Sequence, residues 1–282
     1  MTDHKPAQKE ETLHTKVEGS TDDGACLTVH DGCSAYAEHS CSYRWQSKEN
    51  ARERHKKWFD GTSERLAKNK QGGDVPANHW RIWYAGPNDV FPKEPADWAV
   101  DGPARAATDL RKDSRGQTIP NGANFTNARW PWWNNAHHMI PKGLFKRLIG
   151  QSGRAYQLLR ESLLEAKYNI HWKRNMFVLP MDAAVGAEVF LPRHLGLIKQ
   201  SDRFNHPDYN DMVESRLKEI VDDYKQLCDQ AVTDAGPHGT PSASLDKARL
   251  ENLSKRCEAV IKQFGAIAMG DALDAMKGNT AF

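Results

Sequence analysis

A mainly helical α+β fold with an irregular N-terminal region is what this 282-residue sequence predicts, and three observations carry it. Val213, Leu217, Ile220, Val221, Tyr224, Leu227 and Cys228 recur at helical spacing. Leu253, Cys257, Val260 and Ile261 share one face of a second amphipathic segment. Between the tail and these helices lie "AHHMIP" and "NMFVLP", short apolar runs closed by proline, which have the texture of strands. The hydrophobic fraction of 39% and mean hydropathy of -0.75 are low for one compact domain, so part of the chain is expected to be tail, loop or exposed helix. No stretch approaches the ~20 apolar residues of a membrane span, which excludes a helical membrane anchor from the expectation.

In chain order, residues 1–24 read as a flexible polar tail with six acids against three lysines. They contain no apolar run of the signal-peptide kind, so export would need a route that does not read one. Residues 25–120 form an N-terminal region without an assignable role. Within it, Tyr43 to about Lys70 has helical composition, with Trp45, Ala51, His55, Trp58 and Phe59 as one apolar stripe, until "KQGGD" breaks it. Residues 75–133 are proline-rich and hold six of the nine tryptophans. They are expected to be irregular, with "HWRIWYAG" as a short strand and Trp130, Trp132 and Trp133 serving packing or base stacking. Of the five cysteines, Cys26, Cys33 and Cys41 interleave with His30 and His39. Their spacing matches no compact zinc knuckle, so ordinary thiols are expected there.

Residues 121–232 hold the motifs that carry chemistry, and residues 233–282 a helical extension. Gly143 to Asn169 reads as helix with a break at Gly150 to Gly153, and Asn175 to Pro180 as a strand. A helix follows His206, "DAGPHGTPSAS" breaks it, and a last helix from Leu245 to Phe264 is expected to stop at Gly265 and to form a hairpin with its predecessor. Net charge is only +2, but Lys142 to Arg174 carries eight basic residues against two acids. That block is either a polyanion-binding surface or a solvated helix face. Lys142, Lys146, Arg147, Lys173 and Arg174 lie nearest the motifs and are the candidate phosphate contacts.

His137 and His138 are adjacent on the first strand-like run, so their rings point to opposite faces. Phosphodiester hydrolysis needs a water made nucleophilic and a cation against the developing charge. Imidazole suits both, as a base titrating near neutrality and, when neutral, as a metal ligand. His206 alone would read as a helix-start residue before Pro207, and His171 and His238 as surface or loop residues.

Taken in order, "AHHMIPK", "NMFVLP" and "HPDYNDMVESRL" resemble the AHH nucleases of the HNH/endonuclease VII superfamily. The resemblance implies a ββα-metal finger flanked by helices and a metal-dependent nuclease. It implies His138 as general base, Asn175 as the strand-two asparagine that organises the loop and orients the base, and His137 and His206 as metal ligands. The family pattern has a further histidine before "HPxY". Here Asp202 has the better spacing, whereas His194 in "LPRHLG" has the better texture, and both stay open. The resemblance further implies one divalent ion (Mg²⁺, Mn²⁺ or Zn²⁺) and DNA as substrate, with RNA as the alternative. It implies a toxin effector with a cognate immunity protein and a secretion adaptor or chaperone, acting in a target-cell cytoplasm. A zinc-stabilised, non-catalytic nucleic-acid-binding module is the rival from a different class.

Overall fold

The computed structural model describes residues 14–15, 24–27, 40–54, 110–112, 118–120, 134–180, 186–187, 189–194, 206–268 and 270–276. Among these the fold is mainly helical α+β, as expected, with three two-stranded sheets. β1 (His14–Thr15) pairs antiparallel with β2 (Ala25–Cys26). The helix α1 (Tyr43–Arg54) follows, and then β3 (Leu110–Lys112) pairs antiparallel with β4 (Thr118–Pro120). The third sheet joins β5 (Asn134–His138) to β6 (Met176–Pro180), with helices α2 (Lys142–Gly150) and α3 (Tyr156–Glu165) between them in sequence. Two long helices, α4 (Pro207–Ala235) and α5 (Ala248–Ala268), close the chain. No helix among the described residues is long and apolar enough to cross a membrane.

The chain forms two compact units from interleaved stretches: residues 1–46, 138–176 and 210–257 in one, and residues 47–137, 177–209 and 258–282 in the other. In the first unit the helical periodicity is spent on burial. Leu144, Phe145, Leu148 and Ile149 of α2 are buried, as are Leu158, Leu159, Leu163 and Leu164 of α3. On α4, Val213, Leu217, Val221, Tyr224 and Cys228 are buried, whereas Leu227, which the spacing placed on the same face, is 52% exposed. The expected hairpin is held at its turn by Tyr224, whose hydroxyl donates to the Asp246 carbonyl, and by Arg249 on Asp223 at 2.6 Å. The Gly150 to Gly153 break is a turn in which Gly153 takes φ +60°, a conformation that glycine adopts without a Cβ penalty. α3 ends in a paired C-terminal motif: Tyr168 N–H donates to Leu163 O and Lys167 N–H to Leu164 O, both at 2.9 Å. Lys167 adopts φ +56° there, where glycine is the usual occupant.

α1 is capped by Ser42, whose Oγ accepts the Trp45 N–H at 3.3 Å. Trp45 and Ala51 of the expected stripe are buried, while His55, Trp58, Phe59, the "HWRIWYAG" run, Trp98, Trp130, Trp132 and Trp133 lie outside the described residues. Cys26, Cys41, Cys228 and Cys257 are buried, and Cys33, His30 and His39 lie outside the described residues. Burial, with Asp229 alongside, pushes the Cys228 thiol up to about 11, so it stays protonated and unreactive at neutral pH.

In the second unit α5 runs through Gly265 to Ala268, so Gly265 is not the stop the sequence suggested. Its role is close approach. A Cβ there would sit 2.4 Å from the Phe190 carbonyl oxygen and 2.5 Å from Leu191 Cα, so only a bare glycine lets the 190–192 backbone lie on the helix. Because the clashing atoms are backbone, no rotamer change relieves them. Gly265→Ala is therefore expected to destabilise the protein by about 1–3 kcal/mol, despite alanine's better helix propensity. Denaturant unfolding checks this; a gain in stability would show that the 190–192 segment yields freely.

Candidate metal centre

Three histidines from three separate stretches converge in the second unit. His137 lies on β5, His194 fourteen residues beyond β6, and His206 immediately before α4. Each offers one ring nitrogen, and the three nitrogens lie within 4.8 Å of one another. The rings meet edge to face: His137 to His206 at 4.8 Å between centroids, His137 to His194 at 5.1 Å, and His194 to His206 at 5.2 Å. Tyr209, fully buried in the first turn of α4, stands edge-on to His137 at 5.0 Å and to His206 at 5.4 Å.

Local structure explains how each ring arrives. Period-two alternation turns His137, which is buried, to the face opposite His138, which is partly exposed. His194 is fixed by its backbone, because its N–H donates to Pro180 O at the end of β6 at 2.7 Å. Asn135 Nδ2 reaches the His194 Nδ1 edge at 3.5 Å. Pro207 opens α4 at the first helical position, where a missing N–H costs nothing, and so sets His206 at the mouth of the helix.

This donor set fits a metal ion. His194 Nε2 and His137 Nδ1 are 3.1 Å apart. Metal–imidazole bonds of ~2.0–2.1 Å on a tetrahedral ion put ligand nitrogens roughly 3.3 Å apart, so this edge needs little adjustment. Burial, and next to it the neighbouring His206, pushes the His194 imidazole down to about 3, which keeps it in the neutral, ligating form. Among the described residues the donors are three imidazoles with no carboxylate, a set that leaves the full charge of a divalent ion unneutralised and resembles three-ligand catalytic sites more than four-ligand structural ones. All-nitrogen donors suit zinc and its neighbours better than Mg²⁺, which prefers oxygen. Among the described residues this is the cluster able to hold a metal; Cys26 and Cys41 join none. Of the two candidates for the third ligand, His194 is in the cluster and Asp202 lies outside the described residues.

The first unit holds the other motif residues. His138 Nε2 shares a hydrogen bond of 2.9 Å with His171 Nδ1, and Tyr43 lies 5.7 Å from the His138 ring. His171 is buried, not the surface residue the sequence suggested. Its N–H donates to Asn169 Oδ1 at 2.8 Å, and Asn169 Nδ2 donates to Ser40 O at 2.8 Å. Asn175 clamps the segment after His138. Its Oδ1 accepts from Ile140 N–H and from Ser254 Oγ, both at 2.8 Å, and its Nδ2 donates to Ile170 O at 2.7 Å. Two of these three bonds hold backbone, at Ile140 and Ile170, and the third is to the Ser254 side chain on α5.

The basic candidates divide. Lys142 and Lys146 are exposed on α2, with Lys142 Nζ 5.6 Å from the Tyr43 ring. Arg147 is engaged by Glu214 at 2.5 Å, so it is committed to α4. Lys173 and Arg174 are half-buried, with Arg174 stacked 5.7 Å from Trp172. Sequence reasoning missed His171, Asn135 and Tyr209 as neighbours of the motif histidines. The tyrosine of "HPDY" was the one with a visible signal.

Residues 123–255 match the family described as AHH, a nuclease family of the HNH/ENDO VII superfamily with conserved AHH. No curated protein and no solved structure matches the chain.

Proposed function

We propose that the protein is a metal-dependent endonuclease that hydrolyses DNA phosphodiester bonds, a reading supported by the match of residues 123–255 to the AHH nuclease family of the HNH/ENDO VII superfamily. The single observation that carries the metal dependence is the His137, His194 and His206 cluster. Those three residues hold the ion, which supplies positive charge against the phosphate and the departing oxygen. His138, next to His137 on β5 and turned to the other face, takes the proton from the attacking water. His171 fixes the His138 ring through the 2.9 Å bond, and Asn175 fixes the backbone that follows it. Exposed Lys142 and Lys146 supply non-specific phosphate contacts.

In this reading the nuclease is an antibacterial effector, kept harmless in its producer by a cognate immunity protein and brought to export by an adaptor or chaperone. It acts in the cytoplasm of the target cell. The family resemblance of the three motifs supports that context. The test is degradation of supercoiled plasmid and of total RNA by purified protein with Mg²⁺, Mn²⁺ or Zn²⁺, or with EDTA. Plasmid nicking that EDTA abolishes is the expected result. Cleavage of RNA alone would move the substrate to RNA, and cleavage undiminished by chelation would refute metal dependence.

A further inference from the structure

We propose that residues 270–276, which lie beyond the stretch matched to the nuclease family, complete the metal centre, with Asp274 as the positioning residue for His206. This rests on the metal-centre reading above and extends it. The first backbone N–H groups of a helix lack intrahelical acceptors, and a Ser, Thr, Asp or Asn immediately before the helix ordinarily accepts those of the second and third residues. Before α4 that place belongs to His206, whose ring is instead turned towards His137 and His194.

Asp274 does the capping from elsewhere. Its Oδ1 accepts the Asp208 N–H at 2.7 Å and the Tyr209 N–H at 3.2 Å, across more than sixty residues of sequence. Its negative charge is also favourable at a helix N-terminus. The division of labour releases the His206 imidazole for ligation and fixes where the helix mouth presents it.

The same short segment holds a second ligand in place. Arg193 N–H donates to Asp271 O at 2.9 Å, and Leu273 N–H donates back to Arg193 O at 2.8 Å, a parallel bridge around Ala272. His194 is the next residue, already bonded to Pro180 O. Leu273 and Met276, fully buried, anchor the segment. Two of the three histidines are thus placed by backbone and side-chain acceptors that come from 270–276.

The experiment is Co²⁺ titration of the full chain against a chromophoric chelator, with the visible d–d spectrum of the bound ion recorded, for wild type, Asp274→Ala, Asp274→Asn and Leu217→Ala. Asp274→Ala is expected to weaken Co²⁺ binding roughly 10–100-fold, as loss of an outer-shell partner does, and to alter the spectrum. Asp274→Asn keeps the acceptor oxygen and should bind within about twofold of wild type. Leu217→Ala removes a fully buried α4 side chain that is no part of the histidine cluster and should lower thermal stability while leaving affinity and spectrum unchanged. Wild-type affinity and spectrum in Asp274→Ala would overturn this inference alone. Equal losses in Asp274→Ala and Leu217→Ala would reduce Asp274 to a stabilising cap. A wild-type protein that takes up no ion would overturn the metal-centre reading and this inference with it.

Discussion

His138→Ala should abolish most cleavage while leaving metal binding intact, a loss of about 10²–10⁴-fold set by removal of a positioned base. The separation of the two effects follows from strand alternation. His137 and His138 are consecutive on β5, yet one is buried with His194 and His206 and the other is partly exposed and bonded to His171. Deleting the second ring removes no nitrogen from the cluster. His171→Ala should cost less, because it frees the base to turn without removing it. Single-turnover cleavage with saturating metal, alongside a metal titration of each variant, reads both quantities. If His138→Ala cleaved at the wild-type rate, the base would lie elsewhere. If it lost the ion, the two rings would not have separate tasks.

His194→Ala should do the opposite, losing the ion first and activity as a consequence. Among the described residues three imidazoles make up the cluster, so removing one leaves two, too few to hold a divalent ion against water. The loss should exceed the roughly 10–100-fold that follows removal of an outer-shell partner. Burial keeps His194 neutral well below its ordinary value, so it needs no deprotonation before binding at neutral pH. The side chain is buried, and truncation leaves a polar-lined gap, so the fold should be checked by circular dichroism beside the titration. Unchanged stoichiometry and affinity in a folded His194→Ala would remove this residue from the ligand set and return Asp202 to consideration.

Much of the site was legible because its parts are local. The adjacent histidines at a strand end, the strand closed by Pro180 and the "HPDY" helix opening each leave a mark within a few residues. Long helices with strong periodicity were equally plain, and the α4 and α5 cores follow the spacing except at exposed Leu227 and half-buried Ile220. What stayed hidden depends on distance in sequence. His171 reads as a loop histidine until the fold sets it 2.9 Å from His138, thirty-three residues away. Gly265 reads as a helix stop because the backbone pressed against it belongs to residues 190–192. Asp274 carries no motif, since capping a helix from another segment needs an acceptor in the right place and no neighbouring pattern. The choice between His194 and Asp202 was open for the same reason: spacing along the chain favoured Asp202, whereas among the described residues it is His194 that stands in the cluster.

The most direct test of the central claim is X-ray absorption of the Zn²⁺-loaded protein, which identifies the atoms bound to the ion. Three imidazole nitrogens at ~2.0–2.1 Å with one further light atom is the result expected of His137, His194 and His206 around an open position. Sulfur scatterers at ~2.3 Å would place the ion on cysteines and contradict the account, favouring a zinc-stabilised binding module over a nuclease centre.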